Sequence, residues 1–380
     1  NGFDAQGLWV EVGVEKMLGL KDKRDILKFG MDKFTEACIE RVNHFANIIS
    51  AQSQRLGQWM DWNDSYFTNS DTNITSIWYF LKKCYEKGWL IEKFRPMPWC
   101  SHCGTSLSEH ELADSYQDME HIAVFFKLPI FERNWDMLVW TTTPWTLSSN
   151  VAIAVNPELV YCVCNIKSSN RKLVVGKNAI KVLKDDLISV EEEILGSELV
   201  GLTYQTCFEE LEEQNFVHKI VAWEDVDAEE GSGAVHIAPG CGAEDFELGQ
   251  KLGLPNVIPV DESGIFFDDF GFLAGKNTTE VADLVFDELK KRGKLYYTHK
   301  HMHRYPICWR CKNPLIFRLT KEWYIKADEI RPKLLEAVET VRWQPEFIKK
   351  RMTDWLENMG DWCISRKRFY GLPLPFYICQ

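Results

Sequence analysis

The chain has 380 residues, 45% of them hydrophobic and 13% aromatic, with a formal net charge of −12. That size buries a sizeable core and predicts two or three domains, while the acidic balance argues against non-specific nucleic-acid binding without excluding a nucleic-acid partner, because local patches decide docking. No apolar run approaches a membrane span, and the N-terminus lacks the basic region and apolar core of a secretory signal.

The first clear element is at 31–55, where Phe34, Ala37, Cys38, Val42, Phe45 and Ile49 recur at three- and four-residue steps. That spacing predicts an amphipathic helix. A second helix is expected from Thr72 to Lys87, with Ile77, Phe80, Leu81 and Cys84 inward and Asp71 or Thr72 as its cap. From Met97 the pattern changes to short β-type runs at 122–128, 137–143, 151–155, 159–165, 172–176 and 218–223. Helical interludes are expected at 244–252 and 279–292. Long segments return after 305: a strand at 314–326, a helix at 327–340 and a helix from Lys349 to Met359. The fold class expected is α/β, with 1–95 and 327–380 as pieces of one domain. A strand-rich domain at 115–304 interrupts them, and 96–114 with 305–326 form its connection. There is no internal repeat and no low-complexity segment.

The run Trp140-Thr141-Thr142-Thr143-Pro144-Trp145 follows a buried-strand pattern, and Pro144 stops it from continuing as an inner strand. Three adjacent hydroxyls offer donors and acceptors that suit a sugar, an ester carbonyl or a water. Threonine also favours strands for its own sake, so a bare strand end is the plain alternative. A second segment, 230–247, reads EGSGAVHIAPGCGAEDFE. Its glycines permit tight backbone approach around the strand Ala234–Ile237. His236 stands near the end of that strand, and Asp245 in the first helical turn beyond it, where carboxylates are favoured in any case. Together they suggest a pocket for a cationic amine and a polar ester.

Twelve cysteines without a secretory signal point to reduced thiols or metal and a cytoplasmic location. Cys100-x-x-Cys103 and Cys308-x-x-Cys311 are two-thiolate knuckles, each led by Pro-x-Cys. Four thiolates make the closed tetrahedral set of a structural zinc. About 200 residues separate the pairs, too many for one ribbon. The economical geometry has the knuckles meeting at the base of an insertion; the rival has each pair acting alone or as a redox dithiol. His102 and His301 lie nearby, but four sulfurs already fill the shell. The cysteines at 38, 84, 162, 164, 207 and 363 fit buried strands or helices. Lys290 to Lys294, followed by His299, Lys300, His301, His303 and Arg304, form a basic stretch that is either a docking patch or a solvated face.

WTTTPWTLSSN, GSGAVHIAPGCGAEDF, WCSHCGTSLSEHELA, HRYPICWRCKNPLIFR, EWYIK, DWCISRKRFYGLPLP and NGFDAQGLWVE resemble markers of the isoleucyl-tRNA synthetases over essentially the whole chain. The valine and leucine relatives carry TTRPET, so Thr143 and Trp145 separate the isoleucine type. The resemblance implies an interrupted Rossmann-type catalytic domain, a β-barrel-like editing domain and a zinc at its base. It implies an enzyme whose full-length form joins isoleucine to tRNA with ATP and magnesium, and whose editing domain hydrolyses valine mischarged on tRNA(Ile). By this resemblance Thr141, Thr142 and Thr143 contact the terminal adenosine and orient a water, and Trp145 helps exclude isoleucine. His236 lies near the side chain and ester, Asp245 binds the α-ammonium, and Asp4 holds the amino group of isoleucine at the synthetic site. The chain departs from the pattern at Ala5, Gln6, Trp9, Ser148 and Cys241. Neither HIGH nor KMSKS occurs, and there is no initiator methionine. The chain is therefore expected to be an internal fragment that does not form aminoacyl adenylate alone. Two other functions fit the residues less well: a non-catalytic, zinc-tied tRNA-binding module, and a zinc hydrolase, which would need an open metal position.

Overall fold

The structure, a computed structural model, describes all residues except 21–22, 109–110, 113–114, 212–214, 228, 230 and 380, and all side chains of those but 24 and 185. Parts of two predicted motifs, at 109–110, 113 and 230, therefore lie outside the described residues. The chain divides into two compact units, Asn1–Phe94 with Lys321–Gln380, and Arg95–Thr320.

The first unit opens with β1 (Gly2–Phe3), then α1 (Leu8–Leu18), α2 (Lys23–Phe29) and α3 (Met31–Arg55). β2 (Tyr66–Phe67) pairs in parallel with β1, and α4 (Asp71–Glu86) follows. Val14, Ile26, Phe34, Cys38 and Tyr370 form one small core of this unit, and Leu81, Cys84 and Ile325 another. Glu11, fully buried in α1, accepts from the Tyr370 backbone N–H at 2.6 Å and from Lys23, so its charge is paired. The long helix stands where its spacing puts it, yet Phe45 and Ile49 are exposed. In α4 the inward row is Leu81 and Cys84, while Phe80 is 47% exposed, because it lies one residue and about 100° around the helix from Leu81. The α4 cap is Ser70, whose hydroxyl accepts from the Asn73 N–H at 3.4 Å, and not Asp71 or Thr72.

The chain passes into the second unit along β3 (Leu90–Cys100), which pairs with β4 (Thr105–Ser106). There follow β5 (Tyr116–Pro129), β6 (Trp135–Thr141), β7 (Ala152–Val155), β8 (Val160–Ile166), β9 (Lys172–Gly176) and β10 (Leu187–Leu195). After these come β11 (Lys219–Ala222), β12 (Ala234–Ile237), α5 (Ala243–Leu252), α6 (Ala282–Lys291) and β13 (Leu295–Pro306). The strands from β5 to β13 join in one nine-stranded mixed sheet. β6 is its fork. One edge pairs along its length with β5, which pairs with β13. The other edge carries β9 at residues 135–137 and β12 at Trp140. The alternation of side chains along a strand gives the sheet two buried faces. Met137, Val139, Val163 and Val174 enter one core, and Leu138, Cys162, Cys164, Leu173 and Val175 the other. The larger core also takes Leu248 of α5 and Val285 and Leu289 of α6. Cys207 is buried as expected, but in a bend and not in a strand or helix.

The chain leaves along β14 (Ile316–Ile325) and returns to the first unit for α7 (Arg331–Thr340), α8 (Phe347–Glu357) and β15 (Trp362–Cys363). Within that unit Tyr324 of β14 is registered against Cys363 of β15.

Candidate active site

β6 ends at Thr141, and a 3₁₀ turn at Pro144–Ser149 follows. Pro144 suits that first helical position, since it lacks an N–H that would have no partner there. The threonine run is therefore a bend between strand and turn. The Thr143 N–H donates to Thr141 Oγ1 at 3.1 Å, and the two hydroxyls lie 3.2 Å apart. Thr141 is buried and Thr142 and Thr143 are half-buried. Trp145, in the turn, is packed into the larger core.

β12 brings His236 alongside. Val235 is registered against Trp140 on β6 and His236 against Ile153 on β7. His236 Nε2 is 2.9 Å from Thr146 Oγ1, and Thr146 donates in turn to the Thr143 carbonyl at 2.8 Å. On its other side His236 Nδ1 faces the Asn150 amide at 3.5 Å. Burial pushes the imidazole pKa down to about 4, so it is neutral at physiological pH. A glycine is required at Gly231, before this strand. Its φ is +62°, and a Cβ there would meet the Trp140 ring at 2.8 Å.

Asp245 stands in the first turn of α5. Its Oδ2 accepts from the Ala238 N–H at 2.7 Å, which ties it to the end of the His236 strand. Burial pushes its pKa up to about 6, against the pull of that N–H. It is still mostly ionised at neutral pH and suits a cationic partner. Cys241, between them in sequence, has its thiol pushed up to about 12 by burial. It is not a thiolate nucleophile. The arrangement thus offers hydroxyls, a neutral imidazole with both nitrogens engaged, and one carboxylate. Such a set is suited to positioning a polar ester and a water, and the imidazole, with both nitrogens engaged, is not a free general base.

The knuckles also meet. Cys100, Cys103, Cys308 and Cys311 have all four sulfurs within 4.8 Å of one another. Cys100 and Cys311 are 3.4 Å apart, and Cys103 and Cys308 4.0 Å. A tetrahedral zinc with 2.3 Å bonds needs sulfurs about 3.8 Å apart, so the donor set fits such an ion. Each knuckle closes the same way. Gly104 donates its N–H to the Cys100 carbonyl and Lys312 to the Cys308 carbonyl, both at 2.8 Å, with φ of +59° and +63°.

Thr141, Thr142, Thr143, Trp145, His236, Asp245 and the four cysteines all belong to the second unit, while Asp4 belongs to the first. Asp4 is exposed, and its Oδ1 accepts from the Gln6 N–H and the Thr68 hydroxyl, each at 3.4 Å. The basic stretch is largely neutralised. Arg292 pairs with Glu210 and Glu288, Lys291 with Glu288 and Lys300 with Glu120, and Lys294 is buried with its ammonium on the Thr206 carbonyl. Thr146, Asn150 and Tyr204 were not singled out from sequence. The first two lie inside WTTTPWTLSSN, which was the available signal. Tyr204 had none.

A family model described as tRNA synthetases class I (I, L, M and V) matches residues 1–380. The chain belongs to that family. Among class I relatives, the isoleucine–tRNA ligase of Methanothermobacter thermautotrophicus is 36% identical over 383 residues, covering 100% of this chain and 36% of that protein. That of Archaeoglobus fulgidus is 39% identical over 389 residues, covering 100% of this chain and 38% of that protein. The chain thus spans a little over a third of the length of these synthetases. Among solved structures, the P. knowlesi cytosolic leucyl-tRNA synthetase editing domain aligns with a TM-score of 0.38 at 12% identity, over 51% of this chain and 100% of that one.

Proposed function

We propose that the second unit is an editing hydrolase of an isoleucine-specific synthetase, and that its substrate is valine esterified to the acceptor end of tRNA(Ile). The need for such a step is physical. One methylene is worth only about 1–3 kcal/mol of discrimination, isoleucine against valine being the known case of that limit. The observation that carries the reading is that two separated segments of one unit meet: His236 lies against Thr146 of the threonine-rich run, and Asp245 is tied to the end of the His236 strand. Asp245 takes the α-ammonium, because a charge-assisted hydrogen bond selects a free amino group. Thr141, Thr142 and Thr143 hold the terminal adenosine and a water. Trp145 limits the side-chain space, which favours valine over isoleucine. With no free base, hydrolysis proceeds by positioning and electrostatic stabilisation, assisted by the tRNA terminal hydroxyl.

In the same reading Cys100, Cys103, Cys308 and Cys311 hold a structural zinc with no open position, so it takes no part in hydrolysis. The first unit is part of a Rossmann-type catalytic domain. There Asp4 holds the amino group of isoleucine when the full-length protein, in the cytoplasm, charges tRNA with ATP and magnesium.

Deacylation of Val-tRNA(Ile) by the purified chain tests the assignment. Asp245→Ala and Thr142→Ala are expected to slow it by about 10- to 100-fold, the scale of a lost hydrogen bond to a charged or reacting group. An intact ester in all three samples removes the assignment.

A further inference from the structure

His236 sits in a row of hydrogen bonds whose direction is fixed at every link. The Thr143 carbonyl can only accept, so the single Thr146 hydroxyl proton is committed to it at 2.8 Å. Thr146 Oγ1 must then accept from His236, 2.9 Å away, which places the imidazole proton on Nε2. The lone pair is left on Nδ1. The Ala152 carbonyl, also an acceptor only, takes one N–H of the Asn150 amide at 2.9 Å. That fixes the amide orientation, and its second N–H faces His236 Nδ1 at 3.5 Å. The amide oxygen accepts from the Tyr204 hydroxyl at 2.7 Å. Donation therefore runs one way, from Tyr204 through Asn150, His236 and Thr146 to the backbone of the threonine run.

The far end of this row is well anchored. Tyr204 is 2% exposed, in the larger core, and its ring meets His218 edge-on at 5.5 Å. His218 Nε2 lies 3.1 Å from the Asn150 carbonyl, so the Asn150 backbone and side chain are both held. Burial keeps the phenol protonated and therefore a donor.

We propose that Tyr204 is a positioning residue for the hydrolytic site: its hydroxyl orients the Asn150 amide, which with Thr146 holds His236 as the neutral Nε2–H tautomer and couples it to the Thr143 carbonyl. Tyr204 touches no substrate in this role. Its hydroxyl keeps the imidazole from turning over or taking a proton, and so keeps the threonine bend in one conformation. The kinetic consequence rests on the editing reading, while the tautomer does not.

The direct test is side-chain ¹⁵N NMR of the histidine-labelled chain, with His236 assigned from the resonances lost in His236→Gln. The wild type is expected to show a pyrrole-type Nε2 and a pyridine-type Nδ1 at neutral pH. Tyr204→Phe, which keeps the ring, is expected to move both nitrogens toward averaged values and to raise the imidazole pKa. A second pair guards against a variant that does not fold: Thr146→Val releases the tautomer, and Thr146→Ser retains it. In Val-tRNA(Ile) deacylation Tyr204→Phe should lower kcat by about five- to tenfold, the scale of one neutral hydrogen bond, with KM changed by less than about twofold. A wild-type His236 protonated on Nδ1, or nitrogen shifts that ignore both Tyr204→Phe and Thr146→Val, would overturn the proposal. A wild type that shows the tautomer and its response, yet leaves the ester intact, supports the hydrogen-bond row and counts against the editing reading instead.

Discussion

Burial acts in opposite senses on His236 and Asp245. It pushes His236 down to about 4 and Asp245 up to about 6. Between pH 5 and 7 the imidazole stays neutral while the carboxylate fills in. The deacylation rate should therefore rise over that window and level off above it, and Asp245→Asn should abolish the rise along with most of the activity. Stability moves the other way at this residue. The folded Asp245 binds its proton more tightly than the unfolded chain does. Its stabilising contribution is thus complete below about pH 4 and lost as pH rises through about 6. Asp245→Asn is expected to raise the melting temperature at pH 7.5, by up to about 3 kcal/mol in stability, with no gain near pH 4. For His236 the folded pKa lies below the ordinary one, so stability falls as pH drops from about 6.5 toward 4. The threonine run stood out in sequence by its three adjacent hydroxyls, and His236 and Asp245 by their pairing in a glycine-rich segment that resembles a family marker. Tyr204 did not, because a lone tyrosine in a segment held only by isolated bridges carries no pattern. Its role exists only through a contact with Asn150, 54 residues away.

At the scale of elements, legibility followed how one-sided the burial is. β9 and the helices α3 and α5 were predicted to within a residue or so, since each shows its periodicity. β10 was missed: its residues 188–193 are all exposed, so it has no apolar alternation to read. β13 was missed because its inward row is Tyr297, His299, His301, His303 and Tyr305, whose rings meet tilted or edge-on along one face but read as polar in sequence. Phe80 was misjudged because a large apolar side chain on a helix need not face the core. The knuckles were legible because two Cys-x-x-Cys pairs are rare, and their meeting follows from the fold. Cys308→Ser is expected to abolish stoichiometric zinc, read by metal analysis, and to lower the melting temperature of the second unit; an unchanged melt would remove the structural role. Ser70→Ala should cost about 1 kcal/mol in chemical denaturation of the first unit, through loss of the α4 cap.

For the molecule as a whole, among the described residues no helix is long and apolar enough to cross a membrane. The two units divide the roles proposed for them: Asp4 in one, the threonine run with His236, Asp245 and the cysteine cluster in the other. Within the second unit the sheet forks at β6. It sets the end of β12 beside the end of β6, which brings the neutral imidazole of His236 against Thr146 in the turn that follows the threonine run, with the Asp245 carboxylate tied to the end of β12. The site is proposed to select valine. It is tested most directly by comparing initial rates of hydrolysis of Val-tRNA(Ile) and Ile-tRNA(Ile) by the same chain. Valine is expected to be released faster by about tenfold or more, and Trp145→Ala to narrow the ratio. Equal rates for the two esters, or faster release of isoleucine, would contradict it.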